Sequence, residues 1–267
     1  MPDIFNSSFS ENKYLDESSW QKTAALPKDL HIQQAQTQTD VNSTVLNFLS
    51  QKFDLNAPLK TLDLPCGNLE FVSYLKQIFP TSTLTAVDVV KPTLKEGIQF
   101  LEMDVSKEFT IPPATKFDLI TSISGVMMFS NTKHFIESCI ERLKPKGIYI
   151  ITNDNSATIK DKLAYLFIGS FRIFKPVFAD GEHLTENVPV HELCRLLRIN
   201  NMVVKDIVYT SAYAKDYIFW PIAALVYPLH RLYLSKIRGA LPDTLINKMY
   251  PFKHLFCRHY IIIAEKQ

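Results

Sequence analysis

Three aspartates close three successive short apolar runs: Asp63 follows Thr61-Leu62, Asp88 follows Leu84–Val87, and Asp104 follows Phe100–Met103. A carboxylate just past a strand end can accept hydrogen bonds from an ammonium group, from the paired hydroxyls of a sugar, or from an exocyclic amine. One such acid is ordinarily a helix N-cap or a solvated loop group. Three in succession point to a single ligand with polar groups at three places. Gly67 lies four residues after Asp63 and lets the backbone come close to that ligand. Further on, His183 and His191 have the side chain best suited to take a proton from an oxygen or nitrogen nucleophile near neutral pH, although each fits a surface loop or helix equally well.

Hydrophobic periodicity supplies the elements that must hold these groups. Strands are predicted at Thr61–Leu64, Leu84–Val89, Ile98–Met103, Phe117–Ile123 and Gly147–Thr152, and again at Met202–Tyr209 and Tyr260–Ala264. Helical spacing is predicted at Val41–Phe53, from Phe71 to Ile78 before Pro80, at Thr132–Leu143, Ile159–Phe174 and Val190–Leu197. The strand-helix alternation from Leu59 predicts an α/β fold, a Rossmann-like doubly wound sheet whose ligands bind beyond the carboxyl ends of the strands. The crossover at Lys91-Pro92-Thr93 is too short for a full helix.

Composition narrows the function classes. The 267 residues are 46% hydrophobic and 21% charged, with a net charge of +2, so nucleic-acid binding is not expected. Cys66, Cys139, Cys194 and Cys257 form no CxxC pair; neither a metal site nor a disulfide framework is expected, and reduced cytoplasmic thiols are. The polar N-terminus has no secretory apolar core. Residues 1–57 read as an N-terminal cap, and 58–267 as the main domain.

The order of elements, with Asp63-Leu64-Pro65-Cys66-Gly67, Phe117-Asp118-Leu119-Ile120 and Leu143-Lys144-Pro145-Lys146-Gly147, resembles class I S-adenosylmethionine-dependent methyltransferases. Their first motif is commonly D-x-G-x-G-x-G, and D-L-P-C-G is a familiar variant. The resemblance implies S-adenosyl-L-methionine as cofactor, with Asp63, Cys66, Gly67 and Asn68 at its methionine part, Asp88 at its ribose, Asp104 and Val105 at its adenine, and Ile123 lining the same site. It also implies that the last two strands form an antiparallel hairpin and that the acceptor pocket is built in the segment after the fifth strand, where His183 is the candidate base. Pro65 and Leu69 stand where two motif glycines are usual, and Met128 stands where many relatives carry a histidine. The run Asn153-Asn155, the helix after it and Leu255–Ile262 also resemble a subgroup encoded with glycan and cell-envelope biosynthesis. What this resemblance implies for the acceptor is a small molecule, a glycan or a lipid-linked metabolite.

Two other readings stay open: a non-catalytic binding or scaffold protein that kept the fold, and, more remotely, an NAD(P)-dependent oxidoreductase. The latter wants G-x-G-x-x-G against a pyrophosphate, whereas an acid before a single glycine repels phosphate and suits a zwitterionic amino acid. Between the hairpin strands a turn would suffice, yet residues 211–256 intervene with an apolar run from Tyr217 to Leu229. From Ser211 to His259 there are seven Lys and Arg against two Asp. Pro221 and Pro228 interrupt a run already short for a membrane span. An interfacial membrane contact, which would place the protein at the inner face of the membrane, and a helical lid or homodimer interface are the two expectations for it.

Overall fold

Residues 26, 30–32, 37–126, 130–171, 186–237 and 242–267 are described by the computed structural model. Seven strands form one sheet in the order β3-β2-β1-β4-β5-β7-β6: β1 Lys60–Asp63, β2 Thr83–Asp88, β3 Ile98–Glu102, β4 Phe117–Ser122, β5 Leu143–Asp154, β6 Met202–Thr210 and β7 His259–Lys266. The first five pair in parallel, and β7 lies antiparallel to both β5 and β6. This is the expected Rossmann-like sheet with its closing antiparallel hairpin.

Central strands buried on both faces need apolar residues at consecutive positions, and Ile148 to Ile151 supply them. Ile148 and Ile150 face one core with helices α1 (Thr39–Lys52) and α2 (Glu70–Ile78). Tyr149 and Ile151 face a second core that holds α3 (Thr132–Glu141), α5 (Val190–Ile199) and the short α7 (Asp243–Met249). Helix α4 (Ile159–Ile168) leaves the carboxyl end of β5. Helix α1 also engages the insertion through Asp40, whose Oδ1 accepts from the Ser211 hydroxyl at 2.7 Å. No helix forms between β2 and β3, as the short crossover predicts.

Two expectations are corrected. Leu143 belongs to β5 rather than to the preceding helix: α3 stops at Glu141, Leu143 pairs with Phe117, and the chain bulges out before Ile148 rejoins opposite Leu119. Lys146 takes φ 64° in that bulge, and a Cβ on Gly147 would sit 2.8 Å from the Lys144 carbonyl oxygen, so the tight excursion needs glycine there. Helix α4 ends at Ile168, six residues before Phe174. Gly169 adopts φ 67° and its N–H donates to the Tyr165 carbonyl, the usual glycine stop; Arg172 to Phe174 lie outside the described residues.

The hairpin insertion contains a 3-10 turn (Ala214–Phe219), α6 (Trp220–Ile237), α7 and a second 3-10 turn (Phe252–Leu255). Its two prolines do not break it: Pro221 sits in the first turn of α6, where no N–H is needed, and α6 runs through Pro228. Ala223 of α6 packs with Ile159 of α4, Leu255 and Phe256 in a third, small core. Among the described residues no helix is long and apolar enough to cross a membrane. All four cysteines are free and buried.

Candidate active site

Asp63 is the last residue of β1 and is almost wholly buried. The parallel register sets Thr121 of β4 beside it, and the Thr121 hydroxyl donates to Asp63 Oδ1 at 2.6 Å. Burial pushes its carboxyl up to about 7; Thr121 pulls it down, and the neighbouring Asp88 charge pushes it further up. Among the described residues no Lys or Arg pairs with it. A buried carboxylate offers about four lone-pair positions, and Thr121 fills one.

The turn after Asp63 is held by the sheet. Cys66 N–H donates to the Val87 carbonyl at 2.8 Å, and Gly67 N–H donates to Asp88 Oδ2 at 2.8 Å. The first two acids therefore belong to one hydrogen-bonded structure. Gly67 has φ 50° and Leu69, capping α2, has φ 60°. At the third motif position the left-handed backbone of a glycine is thus kept by a leucine, whose side chain is fully buried in the core under α2. Asn68, between them, is exposed.

Asp88 Oδ1 also accepts from Val90 N–H at 3.3 Å, which leaves further lone pairs on both oxygens for sugar hydroxyls. Val89 and Val90, which the sequence did not single out, are exposed just beyond it; Val90 is 70% exposed. Two exposed apolar side chains beside this carboxylate offer a surface on which the flat face of a ring can rest. Asp104 stands at the turn after β3, but its carboxylate is engaged locally: Oδ1 takes Ser106 N–H and hydroxyl at 3.1 and 2.5 Å, and Oδ2 lies 2.9 Å from Lys107 Nζ. Those partners hold its carboxyl below the ordinary range. Val105 and Ile123 are both buried.

Beyond β4, Ser124 takes φ 56° and its N–H donates to the buried Thr152 hydroxyl at 2.7 Å, tying the ends of β4 and β5 together. The asparagines that follow serve the fold. Asn153 Nδ2 donates to the Val188 carbonyl and the Tyr260 hydroxyl, and Asn155 Nδ2 donates to the carbonyls of His254 and Cys257. His191, on α5, faces the Tyr250 hydroxyl at 3.2 Å and Glu192 at 3.6 Å, away from the three acids in sequence and engaged on the surface. His183 and Met128 lie outside the described residues. Thr121, the partner of Asp63, was not singled out from the sequence; its signal is a polar side chain directly opposite Asp63 in an otherwise apolar stretch of β4.

A family model described as "Methyltransferase domain" matches residues 34–202, which include β1 to β5 and the turn at Asp63. The chain belongs to this methyltransferase family. Solved structures share the fold at low identity. A SAM-dependent methyltransferase from Archaeoglobus fulgidus is 15% identical, with a TM-score of 0.54 over 85% of this chain and 93% of that one. A candidate sarcosine dimethylglycine methyltransferase from Galdieria sulphuraria is 13% identical, with a TM-score of 0.52 over 85% and 86%. The [4+2]-cyclase SpnF is 14% identical, with a TM-score of 0.52 over 89% and 84%. No curated protein matches the sequence. As a methyltransferase, the chain carries its first motif with one glycine of the usual three, the buried Leu69 keeping the backbone turn that the third would give.

Proposed function

We propose that this methyltransferase transfers the methyl group of S-adenosyl-L-methionine to a small-molecule, glycan or lipid-linked acceptor, at the carboxyl ends of β1 to β4. The observation that carries the reading is Asp63: a buried carboxylate with no partner cation among the described residues, joined through the turn to a second acid that can hold a ribose. A zwitterionic amino acid tail linked to a nucleoside matches that donor set, and a pyrophosphate does not. When bound, the cofactor supplies an electrophilic methyl on a sulfonium.

The chain's own part is alignment and exclusion of water. Asp63 receives the ammonium, Asp88 the ribose hydroxyls, and Val89 and Val90 cover the base; Asp104, engaged with Ser106 and Lys107, shapes the adenine end through Val105. His183 is our candidate base for an oxygen or nitrogen acceptor, and an unchanged pH-rate profile in H183A would remove it. The glycan and cell-envelope acceptor class rests on Asn153-Asn155 and the helix after it, and a cytoplasmic location is supported by the four free thiols.

Calorimetry with S-adenosylhomocysteine tests the core of this reading. Wild type binds, while D63N and D88A lose affinity by roughly 2–4 kcal/mol each, the cost of deleting one partner of a charged hydrogen-bonded pair. A wild-type chain that binds neither S-adenosylmethionine nor its product at high protein concentration would instead be a scaffold that kept the fold. Pro65 and Leu69, standing where two motif glycines are usual, give that second reading its footing.

A further inference from the structure

Helix α6 presents two unlike faces. Ala223 and Leu234 are buried, and Val226 and Tyr227 pack toward the small core. Ile222, Leu225, Leu229 and Leu232, spaced by three, four and three residues, form a stripe along the other side, and all four are exposed, Leu225 to 74% and Leu229 to 65%. The last turn of α4 adds Leu166, Phe167 and Ile168, consecutive and exposed, with Phe167 at 78%. Exposed apolar groups in such number mark a surface that something covers.

Charge decides what covers it. Helix α6 contains Arg231 and Lys236 and no acid, whereas Lys162 of α4 is turned inward, its ammonium donating to the Ala157 carbonyl. The two acids on α4 and the adjoining 3-10 turn are withdrawn: Asp161 is buried and bonded to the Thr158 hydroxyl, while Asp216 is buried and clamped by Arg258 Nε and Nη2 at 2.6 and 2.7 Å. The exposed face therefore carries cations only. A symmetric dimer through it would set like charges against one another with no exposed acid from α4 or α6 to pair them. An anionic lipid surface pairs them all. Trp220 and Tyr233, both exposed, have the amphipathic rings that settle at headgroup level.

Topology places this face at the working edge of the sheet. Asp154, His259 and Thr210 are in register across β5, β7 and β6, so α4 and the insertion both leave the sheet at the edge where Asp63 ends β1. We propose that the α6 stripe and the end of α4 dock this protein on an anionic bilayer, lying in the interface rather than spanning it. Docking stands on these surfaces alone; its corollary, that the acceptor is carried on a lipid, rests on the methyl-transfer reading above.

Sedimentation with vesicles of phosphatidylcholine and phosphatidylglycerol in equal parts tests the docking. The full chain pellets with them at low salt, stays soluble with pure phosphatidylcholine, and is released as salt is raised. Neutralising Arg231 or Lys236 to Gln weakens vesicle affinity about fivefold each. L225E/L229E, at exposed positions that leave the far-ultraviolet spectrum unchanged, lowers it by more than about tenfold through the loss of two buried apolar side chains. No pelleting of wild type at low salt, or equal pelleting of L225E/L229E, overturns the proposal. A wild-type dimer that L225E/L229E dissociates, without vesicle binding, also overturns it and gives the face to a second copy. S-adenosylhomocysteine calorimetry on the same preparations keeps the readings apart: cofactor binding without vesicle binding sinks docking alone, and the converse sinks methyl transfer alone.

Discussion

Asp63 makes a pH argument available. Its carboxyl is raised from 3.8 to about 7, so the folded chain holds a proton that the unfolded chain releases. The neutral group's contribution to stability is complete below the unfolded value and is lost as pH rises through about 7, a contribution on the order of 4 kcal/mol. The melting temperature of the ligand-free protein should fall between about pH 4 and 7 and level off above that, and D63N should flatten that slope. An ammonium ligand reverses the preference, so S-adenosylhomocysteine binding below pH 7 should release a proton, with affinity climbing toward a plateau above it; calorimetry in buffers of different ionisation enthalpy reads the proton directly. Leu69 makes the opposite point about glycine. Leu69→Gly relieves a left-handed backbone costing about 1–2 kcal/mol but empties a core position costing about 2–5 kcal/mol, so chemical denaturation should show net destabilisation. The acids and their spacing were readable in the sequence because each ends an apolar run. Thr121 was not, since only the β1–β4 register brings it to Asp63, and neither was the burial of Leu69.

At the scale of elements, boundaries went astray where a glycine or a bulge overrode the apolar pattern. The Ile159–Phe174 pattern continues past Gly169, yet the helix does not, because a glycine with φ 67° ends it. The Leu143 pattern fits a helix, yet the pull of the Phe117 pairing wins and the surplus residues leave the sheet as a bulge. Gly147→Ala should force its Cβ against the Lys144 carbonyl and destabilise the protein by roughly 1–3 kcal/mol, visible as a lower melting temperature. Arg258 closes the insertion on a buried acid. R258A strands Asp216 and should cost about 3–5 kcal/mol, whereas R258A/D216A should cost less because no lone charge remains buried; paired denaturant titrations measure the difference.

For the whole molecule, the mostly parallel sheet with its antiparallel last strand was legible because strand and helix patterns alternate, but the role of the hairpin insertion was not. Leu245, Ile246 and Met249 of α7 sit in the same core as β6, and the Tyr209 hydroxyl donates to the Met249 carbonyl. The segment is therefore part of the fold as well as a surface. Replacing Ala212–Cys257 by a short turn should expose one face of β6 and give insoluble protein, which the soluble fraction after expression would report. The burial of the four thiols has a consequence for how the molecule can be watched. Burial pushes Cys139 and Cys194 to about 12 and Cys257 to about 11, and raises Cys66 as well, so none is a reactive thiolate while its surroundings stay closed. Each becomes a clock for one region: Cys139 and Cys194 for the helices behind the sheet, Cys257 for the return of the insertion, Cys66 for the turn beside Asp63. Alkylation rates in native buffer would then rank how often each region opens, and a ligand that slows only Cys66 would be seated on that turn.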